Sequence, residues 1–180
     1  MKKVILFLAD GFEDCEAVVT TDLLRRAGID VKTASVMINR KVKSAHDIII
    51  MADIMAEDAD FAGADMIILP GGGVGTENLK KNALVREKCL DFAKDRMVGA
   101  ICAAPTVLGS IGLLKGRRAT CYPGCEPELE GAQTVPETVV VDGNIITGRS
   151  PGAAYAFALE IIRQLEGEAC AAEVKAGLVM

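Results

Sequence analysis

With 180 residues, 51% of them hydrophobic, no tryptophan and a formal net charge of −5, the chain has the length for one domain, residues 1–180, around a sizeable aliphatic core. Its charge argues against a nucleic-acid surface. No stretch approaches the ~18 consecutive apolar residues of a membrane span, and Asp10, Glu13 and Asp14 interrupt the apolar start too early for a signal sequence. The expectation is a cytoplasmic protein. Its six cysteines read as free thiols, and its single histidine leaves no zinc-binding set.

Lys3 to Ala9 is a continuous apolar run, as a central parallel strand should be. Asp10 to Asp14 forms a loop at its carboxyl end. A helix follows from Cys15 to Ala27, with Val18, Val19, Leu23 and Leu24 on one face, and Arg25, Arg26 and Gly28 suit its end. Ile29–Val36 reads as a second strand, and Val42–Ala45 and Asp47–Met51 as short extended pieces about a turn at Ala45-His46. Glu57–Phe61 is a helical turn and Met66–Leu69 a third core strand. Pro70-Gly71-Gly72-Gly73-Val74-Gly75 follows directly. Such a loop lets backbone N–H groups point into a crevice, and it lacks the spacing of a P-loop or a dinucleotide turn. An oxyanion hole needs only one or two such groups, and a tight turn without a ligand fits as well.

Leu84–Arg96 is an amphipathic helix leading to the strand Val98–Ile101. Cys102 stands at the end of that strand, followed by the small Ala103 and Ala104 and by Pro105, which suits a first helical turn. A cysteine between a strand's carboxyl end and a helix's amino end occupies a nucleophile elbow. The free amides and helix dipole there are expected to favour the thiolate. A small buried core cysteine is the plainer alternative. Arg118–Cys121 is expected as another strand of the sheet, with the turn Tyr122-Pro123-Gly124 emerging at the same edge as the site. Cys121 and Cys125 read either as buried or loop cysteines without a role or as one thiol near enough to trap an oxidised Cys102. Thr138–Val141 and Asn144–Thr147 flank Asp142-Gly143, a two-residue hairpin signal. Ser150 is a plausible cap and Pro151 a first-turn residue for a helix from Ala153 to Leu165. Gly167 breaks it before a last helix, Glu168–Lys175.

Alternating strands and helices imply a largely parallel sheet with helices on both faces, and its site lies beyond the strands' carboxyl ends. The loops there hold Glu13–Glu16, Gly71–Gly73 and Cys102–Ala103. A carboxylate, a set of N–H donors and a thiol thus converge. A carboxylic acid beside a thiol shares a proton with it, so Glu16 is expected to have a raised pKa and to shuttle that proton. As a first-turn acid it would also complement the dipole of its helix.

Ala100-Ile101-Cys102-Ala103-Ala104-Pro105, Leu69-Pro70-Gly71-Gly72-Gly73 and Glu16-Ala17-Val18 together resemble the ThiJ/PfpI superfamily. The closest match is its DJ-one branch, that of the Parkinson-disease protein deglycase. The match also includes Asp22 to Ile29, Arg149-Ser150-Pro151-Gly152 and the tail Ala172 to Val179, and so covers nearly the whole chain. The resemblance implies a flavodoxin-like three-layer sandwich, a mostly parallel central sheet and a homodimer. It implies that Cys102 is the reactive cysteine and Glu16 the acid bonded to it, and that Gly72 and Ala103 form the oxyanion site, with Tyr122, Gly71 and Arg149 lining the pocket. No cofactor and no metal are implied. The activity implied is a glyoxalase III or deglycase reaction on a small dicarbonyl, such as methylglyoxal, or on a glycated substrate, linked to oxidative-stress protection. The alternative is a redox sensor or redox-regulated chaperone that uses Cys102 oxidation. Relatives of the protease branch carry a histidine directly after the cysteine, and Ala103 stands there. Tyr122 stands where relatives often have a histidine. His46, where close relatives have an arginine reaching toward the dimer partner's site, reads as a surface turn residue.

Overall fold

In the computed structural model, which describes residues 1–179, alternation along the first strand sorts the core into two layers. On β1 (Lys3–Leu8), Val4, Leu6 and Leu8 face one way, and Ile5 and Phe7 face the other. Successive side chains of a strand point to opposite faces, and a parallel strand covered on both sides can afford apolar residues throughout. The first layer packs on α1 (Asp14–Arg26), through Leu23 and Leu24, and on a helix near the carboxyl end. The second layer holds Phe92, Val107 and Leu108 from helices on the opposite face.

The chain continues through β2 (Asp30–Ser35), the antiparallel pair β3 (Lys41–Lys43) and β4 (Ile49–Met51), and the two-residue β5 (Ile54–Met55). Next come β6 (Met66–Leu69), α2 (Gly73–Lys81), α3 (Ala83–Asp95), β7 (Met97–Ile101) and α4 (Pro105–Ser110). β8 (Arg118–Ala119), β9 (Gln133–Thr134), β10 (Val139–Asp142) and β11 (Ile145–Gly148) precede α5 (Ala154–Glu166) and α6 (Glu168–Gly177). The central sheet has seven strands in the order β10-β11-β7-β6-β1-β2-β5. All its pairings are parallel except β10 with β11, the hairpin about Asp142-Gly143. The fold is α/β, with a mostly parallel sheet between layers of helices.

Two expectations need correction. The segment Arg118–Cys121 does not join the central sheet. Only Arg118 and Ala119 are extended, and they pair with Gln133 and Thr134 in a separate two-stranded ribbon. Ser150 makes no side-chain capping bond. A short 3₁₀ turn, Pro151–Ala153, leads into α5 instead. α2 went unanticipated. Its N-cap is Gly72, which has no side chain to cap with, and it carries few apolar residues. No described helix is long and apolar enough to cross a membrane.

Candidate active site

The carboxyl ends of β1, β6, β7 and β11 lie side by side in the sheet, so the loops leaving them meet. After β1 the chain turns into α1, with Glu13 as the cap. The Glu13 side chain accepts the Glu16 N–H at 2.8 Å, and the Glu13 N–H donates to the Gly71 carbonyl at 3.0 Å. This pins the first turn of α1 to the loop after β6. Glu16 lies on the inward face of α1 with Thr20, Leu23 and Leu24 and is fully buried. Gly71 N–H donates to Glu16 Oε2 at 2.7 Å. Oε1 is buried and takes no protein hydrogen bond of normal geometry. The Cys102 thiol is the neighbour whose proton it can share.

Cys102 follows β7 with φ of +65°, a left-handed conformation that costs a non-glycine residue about 1–2 kcal/mol. Two backbone bonds hold it there. Its N–H donates to Gly148 O at 2.9 Å, and its carbonyl accepts the Tyr122 N–H at 2.8 Å. The turn after the displaced ribbon strand β8 therefore still reaches the elbow. The Cys102 sulfur meets the Glu16 carboxyl and the N–H groups of Gly72 and Ala103. A side-chain carbon added at Gly71 would lie 2.7 Å from Glu16 Oε2 and 2.8 Å from Cys102 Cβ, so only glycine leaves this space open. Gly72 has φ of +89°, and a Cβ there would run into the Gly11 carbonyl oxygen.

Burial pushes the Glu16 carboxyl up to about 7; the Cys102 thiol and the Gly71 amide pull against that rise, and the charge of Glu13 adds to it. The expectation of a readily ionised Cys102 is corrected. Burial, first, and the charge and hydrogen bond of Glu16 push its pKa up, while the Ala103 and Gly72 amides oppose the rise. The helix behind it, α4, is only six residues long, which leaves little dipole to offset a buried charge. Glu16 and Cys102 therefore behave as one unit. A thiolate forms at least cost when Glu16 holds the proton.

The remaining candidates lie around this pair. Tyr122 contributes its backbone N–H, and its side chain is half exposed at the rim. Arg149 follows β11 and lines a small cavity with Cys121 and Glu126. His46 is on an exposed turn, with Nδ1 2.7 Å from Asp14 Oδ2. Glu13, Asp14 and His46 bring ligand-type atoms within 4.8 Å of one another, but the His46 ring is engaged by Asp14. The capping role of Glu13 was not anticipated. Its signal was an acid three residues before Glu16.

A parallel α/β sheet that presents a strained cysteine and a buried acid beyond its strand ends defines a flavodoxin-like protein with a cysteine elbow. Residues 2–164 match the family model described as the DJ-1/PfpI family, and the chain belongs to that family. It is 36% identical over 184 residues to a Parkinson disease protein 7 homolog from Danio rerio, covering 99% of this chain and 97% of that protein. A protein named as a deglycase from Pyrococcus abyssi is 33% identical, with 91% of this chain and 99% of that one aligned. Among solved structures, a cysteine-to-alanine variant of a DJ-1 superfamily protein from Salmonella typhimurium superposes with a TM-score of 0.93. It is 38% identical, and the alignment covers 99% of this chain and 98% of that one.

Proposed function

We propose that this protein is a cysteine-dependent, cofactor-independent enzyme of the glyoxalase III or deglycase type, acting on methylglyoxal or its adducts. The observation that carries the reading is the shared proton site: a strained, amide-lined Cys102 beside a buried Glu16 whose pKa is raised to about 7. The relative named as a deglycase supports the same class.

In this reaction the thiol proton passes to Glu16 as sulfur adds to the aldehyde carbon. The resulting oxyanion takes the Gly72 and Ala103 N–H groups. Glu16 hands the thiol proton to that oxygen and, again a carboxylate, takes the proton from the same carbon. The electron pair moves toward the adjacent ketone carbon, whose oxygen receives this proton from Glu16, giving an enediol. Reprotonation at the second carbon turns the first into a thioester and the second into a secondary alcohol. Water cleaves the thioester, releasing lactate and regenerating the thiol. One dicarbonyl and one water enter and one hydroxy acid leaves, so the redox change is internal to the substrate. A group titrating near neutral pH suits such a shuttle. The test is lactate formation from methylglyoxal by purified protein. Wild type turns over and Cys102→Ser does not. Equal rates in the two would reject the reading.

The same donors favour a second reading, a redox sensor or redox-regulated chaperone. The oxygens of a Cys102 sulfinate would take the Gly72 and Ala103 amides and a protonated Glu16. A cytoplasmic homodimer is part of the proposal. Val18, Ile49 and Met51 are each about half exposed on adjoining parts of α1 and β4. They offer an apolar face that a second copy would cover.

A further inference from the structure

One half-buried cation beside the elbow is unmatched. Arg25, Arg96, Arg117, Arg118 and Arg163 are each anchored to a carboxylate. The Arg149 backbone N–H donates to Thr138 O at 3.0 Å, but its guanidinium makes no hydrogen bond or ion pair with any described residue. It lines a cavity of about 110 Å³ with Cys121, Glu126, Thr134, Val135 and Pro136. Its charge is felt by both the Cys121 thiol and the Glu126 carboxylate.

The backbone ties two of the cavity's lining residues to the elbow. Arg149 is the chain neighbour of Gly148, which accepts the Cys102 N–H, and Cys121 is the neighbour of Tyr122, which donates to the Cys102 carbonyl. Glu126 shares the cavity and feels the Arg149 charge without pairing with it. Its carboxylate is engaged by the Gly124 N–H at 2.6 Å and forms no ion pair across the cavity. A guanidinium is a planar fork of donors that matches a carboxylate in two-point contact, and a carboxylate in such a contact is held far better than a neutral amide.

Methylglyoxal itself is uncharged and makes no use of this cation. Its adducts with amino acids or small thiol acids carry a carboxylate a few bonds from the carbon that Cys102 would attack. We propose that Arg149 is a specificity-determining residue that holds the carboxylate of such adducts. The favoured substrates would then be carboxylate-bearing hemithioacetals or hemiaminals of α-oxoaldehydes rather than neutral ones. This rests on the reading that Cys102 attacks the aldehyde carbon of such compounds.

The test compares the methylglyoxal hemithioacetals of N-acetylcysteine and of its neutral amide, which differ only in that charge. Wild type is expected to favour the acid by about tenfold to a hundredfold in kcat/KM, chiefly through KM, as charged hydrogen bonds allow. In Arg149→Gln the acid-to-amide ratio falls to near one, and Arg149→Lys keeps part of it. Glu126→Gln, which removes the opposing charge, raises the ratio. Because the Arg149 guanidinium supports no other residue, the variants should fold. Circular dichroism and melting confirm this before kinetics are compared. Equal KM values for acid and amide in wild type, or a preference that survives Arg149→Gln, overturn the proposal. Calorimetric titration of wild type with N-acetylcysteine and with its amide runs beside the kinetics. If no adduct is turned over, the enzymatic reading fails, and the titration still decides whether Arg149 holds a carboxylate. Tighter binding of the acid that is lost in Arg149→Gln supports the subsite, and equal binding rejects it.

Discussion

Replacing Glu16 by glutamine should make the protein more stable at alkaline pH while disabling it. The glutamine carbonyl can still accept the Gly71 N–H, now 2.7 Å from Oε2, and its NH₂ can face the sulfur, so the packing survives. Burial raises the Glu16 pKa from 4.5 to about 7. The sign follows from proton binding. Between these two values the unfolded chain has lost a proton that the folded protein keeps, so folding is favoured at low pH and weakens as pH rises. Below pH 4.5 the carboxyl is neutral in both states and costs nothing. Above pH 7 the folded protein carries a buried charge, at about 3 kcal/mol for a shift of this size. Glutamine never ionises. Urea unfolding of both proteins at pH 4.5 and pH 8 should therefore show a difference in favour of Glu16→Gln that grows by up to about 3 kcal/mol with pH. Turnover should fall by about 10²–10⁴, the usual contribution of a general acid–base. A stability difference that is flat with pH, or wild-type turnover in the variant, would refute the reasoning.

Mild peroxide should add two oxygens at Cys102, where Glu16 can take the thiol proton and the Gly72 and Ala103 amides can hold the new oxygens, before the fully buried Cys89 and before the exposed Cys15. Peptide mapping that finds either of those modified first would displace Cys102 as the reactive thiol. Gly72→Ala forces a side chain into left-handed backbone against the Gly11 carbonyl and should cost about 2–4 kcal/mol, read as a lower urea midpoint. An unchanged midpoint would show that the loop simply shifts. Light scattering should give a dimer at micromolar concentration, and Met51→Glu, on the half-exposed apolar face, should shift it toward monomer. A wild-type monomer would end that proposal. After one equivalent of peroxide, non-reducing maps should show whether Cys121 or Cys125 traps oxidised Cys102 as a disulfide. Sulfinate at Cys102 with both other thiols free would exclude a resolving role.

Much of the scaffold could be read from runs of side chains. β1, β6 and β7 are uninterrupted apolar stretches, and Asp142-Gly143 marks the only antiparallel hairpin of the central sheet, so the parallel sheet and the meeting of its loops followed from pattern alone. α2 escaped because Val74 and Leu79 give too little periodicity, and its cap is a glycine chosen for φ rather than for a side chain. The ribbon β8–β9 escaped because two-residue pairings leave no sequence signal. Within the site, residue types were legible, but the balance of charge was not. The sequence suggests an apolar face of Val18, Val19, Leu23 and Leu24 on α1, but the buried face is Glu16, Ala17, Thr20, Leu23 and Leu24 and Val18 is exposed, so the depth of Glu16 was not legible. How far burial outweighs helix dipole and amides at Cys102 depends on depth, which no local pattern encodes. The idle guanidinium of Arg149 is likewise visible only once the partners of every neighbouring carboxylate are known.

The central claim is that Cys102 attacks an aldehyde carbon and carries the product as a thioester. The most direct measurement is acid quenching during methylglyoxal turnover, followed by intact-mass and peptide analysis. The account predicts a single adduct with the mass of one methylglyoxal on the Cys102 peptide, absent in Cys102→Ser and cleared as lactate accumulates. Lactate formed with no such adduct, or with the adduct on another residue, would contradict it.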